Sequence, residues 1–197
     1  MRQFVLLAHE LAAPDAADLS LDDLPGTGRL DLLSRCVTSA LLLSHDIRED
    51  VRVHLVADGY VVRFEGADLR RINPDERSTA ARIRDAFAAR EGAIGAMAAT
   101  PSPGVSIRRG DFETVLDDLE DVTLLELHDD GRPVVDLDPP ENPAFVLSDH
   151  RDFTDEEADL LAARADKRVS LGPRILHANQ AITVAHNYLD TDGYRDY

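Results

Sequence analysis

With 197 residues and 44% apolar content, the chain has the length and composition of one folded domain with a sizeable core, not of a disordered polypeptide. Its net charge is −17, from 27 Asp and 11 Glu against 20 Arg and one Lys, Lys167. A single cysteine, Cys36, excludes an intrachain disulfide and any multi-cysteine metal site.

Residues 2–8 predict a strand that is apolar on both faces, as in the centre of a parallel or mixed sheet. His9 and Glu10 end this apolar run before it reaches the length of a leader's core, and no run approaches the roughly 18 residues of a membrane span. A cytoplasmic protein without a membrane partner is therefore expected. Residues 11–28 read as an acidic loop ending at Pro25-Gly26-Thr27-Gly28, with Thr27 as the expected N-cap of a helix over 29–44. Leu33, Val37, Ala40 and Leu41 recur at helical spacing there, and Cys36 belongs to the buried face. Residues 51–57 and 60–64 predict two strands joined by a hairpin at Asp58-Gly59. Asn73-Pro74-Asp75-Glu76 opens a helix, with Pro74 in its first turn, that runs to about Glu91. A small-residue connection, 92–104, leads to a strand over 105–108 and a helix from Asp111 to about Glu120.

A strand over 122–127 runs into His128-Asp129-Asp130-Gly131, and residues 133–138 can form a short extended piece. The Pro-rich stretch 138–143 cannot be helical. A strand over 144–147, a helix over 154–165, a strand over 168–171 and a helix over 174–189 complete the chain, before a polar end expected to fray. Strands alternate with helices, so the expected class is α/β with a mostly parallel sheet. In such sheets ligands bind where strand ends open into loops, and Ser148-Asp149-His150 and Leu171-Gly172-Pro173 are two such ends.

Several chemistries are excluded by spacing. Gly26-Thr27-Gly28 lacks the Gly-Lys-Ser/Thr ending of a nucleotide-binding P-loop. There is no G-x-G-x-x-G after a strand, no G-x-S-x-G, and no His pair at i, i+4 around a Glu, so no resident metal is expected. Scarce Lys beside abundant Asp and Arg reads as adaptation to high internal salt. At molar salt the Debye length falls to about 3 Å, so the acidic charge no longer argues against a nucleic-acid partner.

Taken together, Leu127 to Gly131, Phe145 to His150, and Ser170 to Pro173 followed by I-L-H-A-N-Q-A-I-T-V-A-H-N-Y-L-D resemble the SPOUT methyltransferases. Within them the whole chain is similar to the archaeal tRNA pseudouridine N1-methyltransferases, the TrmY family. The resemblance implies one domain over 1–197 with a C-terminal trefoil knot at about 122–190, an exception to the rule against threaded chains. It implies S-adenosyl-L-methionine held by three loops: Leu127, His128 and Gly131; Leu147, Ser148, Asp149 and His150; and Ser170, Leu171, Gly172, Pro173 and Leu176. Gly172 would admit close approach, Pro173 would open the last helix, and Leu147, Leu171 and Leu176 would pack the adenine. Ser148 stands where many relatives carry Gly.

The implied reaction places a methyl group on N1 of a tRNA pseudouridine in the T-loop, position 54. The enzyme would help remove the N1 proton or stabilise the developing oxyanion: an Asp near N1 could accept the proton, and an Arg near the carbonyl oxygens could steady negative charge. Asp31 is favoured as base or orienter, Arg29 as substrate clamp, and Asp149 is the second candidate base. Arg70, Arg71, Arg108 and Arg109 are the candidate RNA contacts. A homodimer is implied, with Ala178, Ala181 and Ala185 as a close-packing helix face. Two readings stay open beside this one: a SPOUT enzyme acting on ribosomal RNA, and a knotted RNA-binding protein without catalysis.

Overall fold

β1 (Arg2–Leu7) runs through the middle of the molecule because its side chains are apolar whichever face they meet. Phe4 and Leu6 enter one core; Val5 and Leu7 enter the other. The computed structural model describes residues 1–12, 15–95 and 97–196. Ala13 and Pro14 of the expected acidic loop, Ala96 of the 92–104 connection, and Tyr197 lie outside the described residues.

The strands following β1 are β2 (Val51–Ala57), β3 (Tyr60–Glu65), β4 (Ala99–Ser102), β5 (Val105–Arg109), β6 (Thr123–Pro133), β7 (Pro143–Ser148) and β8 (Lys167–Ser170). They form one sheet in the order β4-β5-β3-β2-β1-β7-β6-β8. From β2 to β8 every neighbouring pair is parallel; β2-β3, β3-β5 and β5-β4 are antiparallel. The helices are α1 (Leu30–Leu41), α2 (Glu76–Ala88), α3 (Phe112–Asp118), α4 (Asp155–Arg164) and α5 (Ala178–Asp190). α1, α2 and α5 supply the larger core on one face of the sheet, and α3 and α4 the smaller core on the other. The expected α/β class and its mostly parallel sheet are therefore present.

The hairpin at Asp58-Gly59 forms as expected. Both residues have positive φ, 52° and 74°, which is the two-residue turn whose twist matches the flanking strands. The expected Asp111 cap of α3 also forms, accepting from the Thr114 amide at 2.9 Å.

Other boundaries differ for local reasons. α1 starts at Leu30, not after a Thr27 cap, because Arg29 adopts a left-handed conformation (φ 58°) and the Thr27 hydroxyl donates back to the Asp23 carbonyl at 2.7 Å. Gly28 is required there: its φ is +55°, and a Cβ would meet the Glu10 carbonyl oxygen at 2.4 Å. α2 is capped by Asp75, so Pro74 precedes the helix, and the helix yields to a 3-10 turn at Arg90–Gly92. Part of the 92–104 connection is the short edge strand β4, whose Pro101 a sheet edge tolerates. α5 begins at Ala178, four residues later than expected, so Pro173 lies in a loop and not in the first helical turn. Ile175 is 82% exposed, so a further turn would have no core to pack on, while Gln180 accepts from the His177 amide at 3.2 Å and closes the helix start.

The last helix also settles one expectation about its faces. Ala178 and Ala185 are buried within the chain, where α5 packs on α1, so the expected small-residue face is not free to receive a second subunit. His186 fixes that packing. Its Nε2 is 3.0 Å from the Ala40 carbonyl and its Nδ1 3.2 Å from Arg2 Nη1; burial pushes its pKa down to about 4, so the ring is neutral. The chain end is tied down rather than frayed: Tyr188 Oη donates to the Leu137 carbonyl at 3.0 Å, and Arg195 pairs with Asp138 at 2.7 Å.

Candidate functional site

The carboxyl ends of β6, β7 and β8 lie side by side, and the chain leaves each of them differently. β6 stays in the sheet to Pro133 only because its ladder with β8 slips: Leu127 and Arg132 both pair with Val169, and residues 128–131 loop out between them. Gly131 closes this excursion. A Cβ there would meet the Val169 carbonyl carbon at 2.4 Å, so only glycine lets β6 and β8 rejoin. β7 passes into Asp149-His150, and β8 into the exposed loop 171–177.

The three exits enclose a cavity of about 430 Å³, within the usual size of small-molecule sites. Its walls include Leu127 and His128 from the first exit, Leu147, Ser148, Asp149 and His150 from the second, and Ser170, Leu171, Gly172 and Leu176 from the third. Ten of the twelve expected cofactor residues are thus brought together. Gly131 and Pro173 are not in the lining; Gly131 acts one layer back, through the strand contact just described. At Gly172 a Cβ would find nothing within 4 Å, so its smallness serves nothing in the fold and leaves that rim open. Four leucines beside backbone polar groups suit an adenine ring that is apolar on its faces and polar at its edge.

Ser148 does not point its hydroxyl freely at the cavity. Its Oγ donates to the Arg151 carbonyl and lies 3.3 Å from His9 Nδ1, so it staples its own loop. Asp149 does the same from below. Its side chain is fully buried and accepts from the backbone amides of His9 and Arg151, both at 2.9 Å. His9 sits between two carboxylates, with Nδ1 3.3 Å from Asp149 and Nε2 2.8 Å from Glu157. Partial burial lowers the pKa of His9, but the bonds to Glu157 and Asp149 outweigh it and the net shift is upward. Glu126, buried in the floor, is paired with Arg168 at 3.0 Å.

Arg29 and Asp31 lie outside the cavity lining. Asp31 accepts from Arg29 Nε at 3.0 Å and from Arg35 Nη2 at 2.9 Å, and Arg35 continues to Glu76 at 2.8 Å. Burial opposes the Asp31 charge, yet the two guanidinium groups hold its pKa at about 2. The Asp149 carboxylate is near enough to add to the field that raises the pKa of Arg29. Sequence reasoning missed Arg35, His9 and the Glu126–Arg168 pair. His9 was findable, since it follows a central parallel strand at the edge where ligands bind. Arg35 and Glu126 carry no such signal.

His128, Asp129 and Asp130 form a cluster at the rim in which His128 Nδ1 is 3.0 and 2.6 Å from the two carboxylates. Burial pushes the Cys36 thiol well up, as expected of a core residue. Arg108 is turned to the α3 face and paired with Asp118. Arg70 and Arg71 follow Leu69, which packs on the β4–β5 turn at the opposite edge of the sheet from the cavity.

A mixed sheet with one ligand cleft at the carboxyl ends of its parallel half defines the class as an α/β ligand-binding domain. Its fold is that of Nep1 of Archaeoglobus fulgidus, solved with S-adenosylhomocysteine bound: the TM-score is 0.66 with 95% and 96% of the two chains covered, at 16% identity. The family model described as "Putative SAM-dependent RNA methyltransferase" matches residues 1–194. Relatives named tRNA (pseudouridine(54)-N(1))-methyltransferase are 67% identical in Haloferax volcanii and 62% in Natronomonas pharaonis, each over 100% of both chains. One from Methanococcoides burtonii is 41% identical over 96% of both. The chain belongs to this family of SAM-dependent RNA methyltransferases, together with the archaeal tRNA (pseudouridine(54)-N(1))-methyltransferases.

Proposed function

We propose that the protein moves the methyl group of S-adenosyl-L-methionine to N1 of pseudouridine 54 in tRNA. The observation that carries the reading is the convergence of the 127–128, 147–150 and 170–176 exits on one cleft, in a chain whose relatives bear that activity in their names. When bound, the cofactor supplies an electrophilic methyl group on a sulfonium. The residues of this chain then have three tasks. Leu127, Leu147, Leu171 and Leu176 hold the apolar ring while the backbone of the exits reads its edge. Arg29, kept in place by Asp31, steadies negative charge on the pseudouridine ring as N1 loses its proton. Asp31 is an orienter in this scheme, because a carboxylate with a pKa of about 2 accepts a proton poorly at neutral pH. Asp149 lies fully buried beneath the cleft and accepts from the His9 and Arg151 amides, so it orders the 148–151 loop in this scheme, and the N1 proton is given to solvent. The methyl group would replace the N1 proton, the donor would leave as its neutral thioether, and the released proton would pass to water.

The trefoil knot belongs to the same proposal. It is supported by two contacts between the 134–140 segment and the chain's end: Tyr188 of α5 donates to the Leu137 carbonyl, and Arg195 beyond it pairs with Asp138. So does a cytoplasmic homodimer, supported by Ile175, which stands 82% exposed on the cleft loop and would be covered by a second subunit. Among the described residues, no helix is long and apolar enough to cross a membrane. The test of the activity is nucleoside mass spectrometry of tRNA carrying pseudouridine 54, incubated with the protein and S-adenosyl-L-methionine. N1-methylpseudouridine is expected. Its absence, with cofactor binding intact by calorimetry, would move the substrate to ribosomal RNA or leave a non-catalytic binding protein.

A further inference from the structure

The carboxyl edge of the sheet continues well beyond the cleft. Ser148 of β7 is in register with Leu7 of β1, and Leu7 with Val56 of β2. Ala57 pairs with Tyr60 of β3, and Tyr60 with Arg109 of β5. One row therefore runs along a single edge from the cleft lining to Arg109. Four interstrand steps separate β7 from β5, a distance of about 19 Å.

At the far end of this row stands an aromatic ring with two guanidinium groups over it. The Arg109 Cζ is 5.5 Å and the Arg90 Cζ 5.9 Å from the Tyr60 ring centroid. Phe87, buried in the main core, meets the Tyr60 ring edge-on at 6.1 Å and anchors it. Arg109 is exposed, and among the described residues it makes no ion pair. Its neighbour Arg108 is paired with Asp118, and Arg29, Arg35, Arg48, Arg52, Arg164 and Arg168 are likewise matched to carboxylates.

We infer that Tyr60, Arg90 and Arg109 form a docking platform for the RNA strand that flanks the nucleotide in the cleft. The inference rests on the proposed RNA methyltransferase function. The platform takes an unstacked base or a phosphodiester by the same means: a planar guanidinium on a ring, with the N–H donors of the exposed Arg109 at its rim. About 19 Å corresponds to about five to six steps of a stacked strand at 3.4 Å each. Stacking also suits a protein made for concentrated salt, since purely ionic phosphate contacts are weakened there.

The test is steady-state methylation of tRNA carrying pseudouridine 54 by the full chain and by Arg109→Ala, Arg109→Lys and Arg108→Ala. Arg109→Ala is expected to raise KM for tRNA about tenfold, with kcat, affinity for S-adenosyl-L-methionine and melting temperature unchanged. Arg109→Lys retains the charge but not the planar stack, and is expected to recover KM at about 0.1 M salt while failing to do so at about 1 M. Arg108→Ala removes the same formal charge from the other face and should leave KM for tRNA unchanged. Equal effects of Arg108→Ala and Arg109→Ala would reduce the platform to general electrostatics and overturn it. An unchanged KM in Arg109→Ala beside an active wild type would also overturn it. A wild type that methylates no tRNA would instead remove the function on which the inference rests.

Discussion

The two halves of the sheet end differently, and the cleft opens at the carboxyl ends of the parallel half. In the antiparallel half, β2 turns directly into β3 through Asp58 and Gly59, and the edge is closed by two residues. In the parallel half no strand can return so simply. β6, β7 and β8 each leave through a loop that carries the chain away from the sheet edge, and the three exits leave a hollow between them. The difference teaches that the site comes from strand direction and not from a richer supply of reactive side chains. Two glycines make the same contrast at atomic scale. Gly59 serves a backbone angle and faces nothing, whereas Gly131 serves a backbone contact at the base of the site.

That contrast can be broken by substitution, and the largest effect is expected at Gly131. Gly131→Ala drives a methyl group into the Val169 backbone, so it should cost about 3 kcal/mol of stability and abolish cofactor binding with it. Chemical denaturation and calorimetry on the same sample decide the matter, and near-wild-type values in both would show that the β6–β8 contact is dispensable. Next in size is Asp31→Asn. The folded Asp31 pKa, about 2, is below the unfolded value of 3.8, so its charge stabilises the fold at pH values above 3.8 and that stability is lost as pH falls toward 2. The substitution should cost about 2 kcal/mol at neutral pH and flatten the acid limb of the stability curve between those values. An unaltered acid limb would mean that Arg29 and Arg35 hold other partners in solution.

Gly172→Ala should do the reverse of Gly131→Ala. With nothing within 4 Å of the new methyl group, the melting temperature should stay unchanged, while affinity for S-adenosyl-L-methionine falls about tenfold if the ligand backs onto this position. Unchanged affinity would move the ligand away from the 171–177 loop. The smallest effect belongs to the antiparallel half. Gly59→Ala places a side chain at φ +74° and should cost about 1 kcal/mol, with no change in cofactor affinity measured by calorimetry. A loss of affinity there would show that the two halves are energetically coupled.

Some of this molecule was decided by its sequence alone. The central strand 2–7, the Asp58-Gly59 hairpin, the Asp111 cap and the strand ends at Ser148 and Leu171 follow from local pattern, because apolar periodicity and turn residues act over a few positions, while the 127–131 loop was expected only from the family resemblance. The start of α5 was not legible, since it depends on whether Ile175 finds a core to enter, and it does not. Nor was the slip in β6, which exists only because β8 arrives beside it with Val169 to pair twice. The roles of the candidate acids were open for the same reason. In the sequence Asp31 is a first-turn helix acid and Asp149 a strand-end acid, and neither position fixes its partners. In the folded chain Asp31 is held between two arginines, while Asp149 is buried under the cleft with backbone amides as donors. Nearest neighbours along a chain set local conformation; the charge state and reach of a carboxylate are set by groups far away in sequence, and only the tertiary structure brings them together.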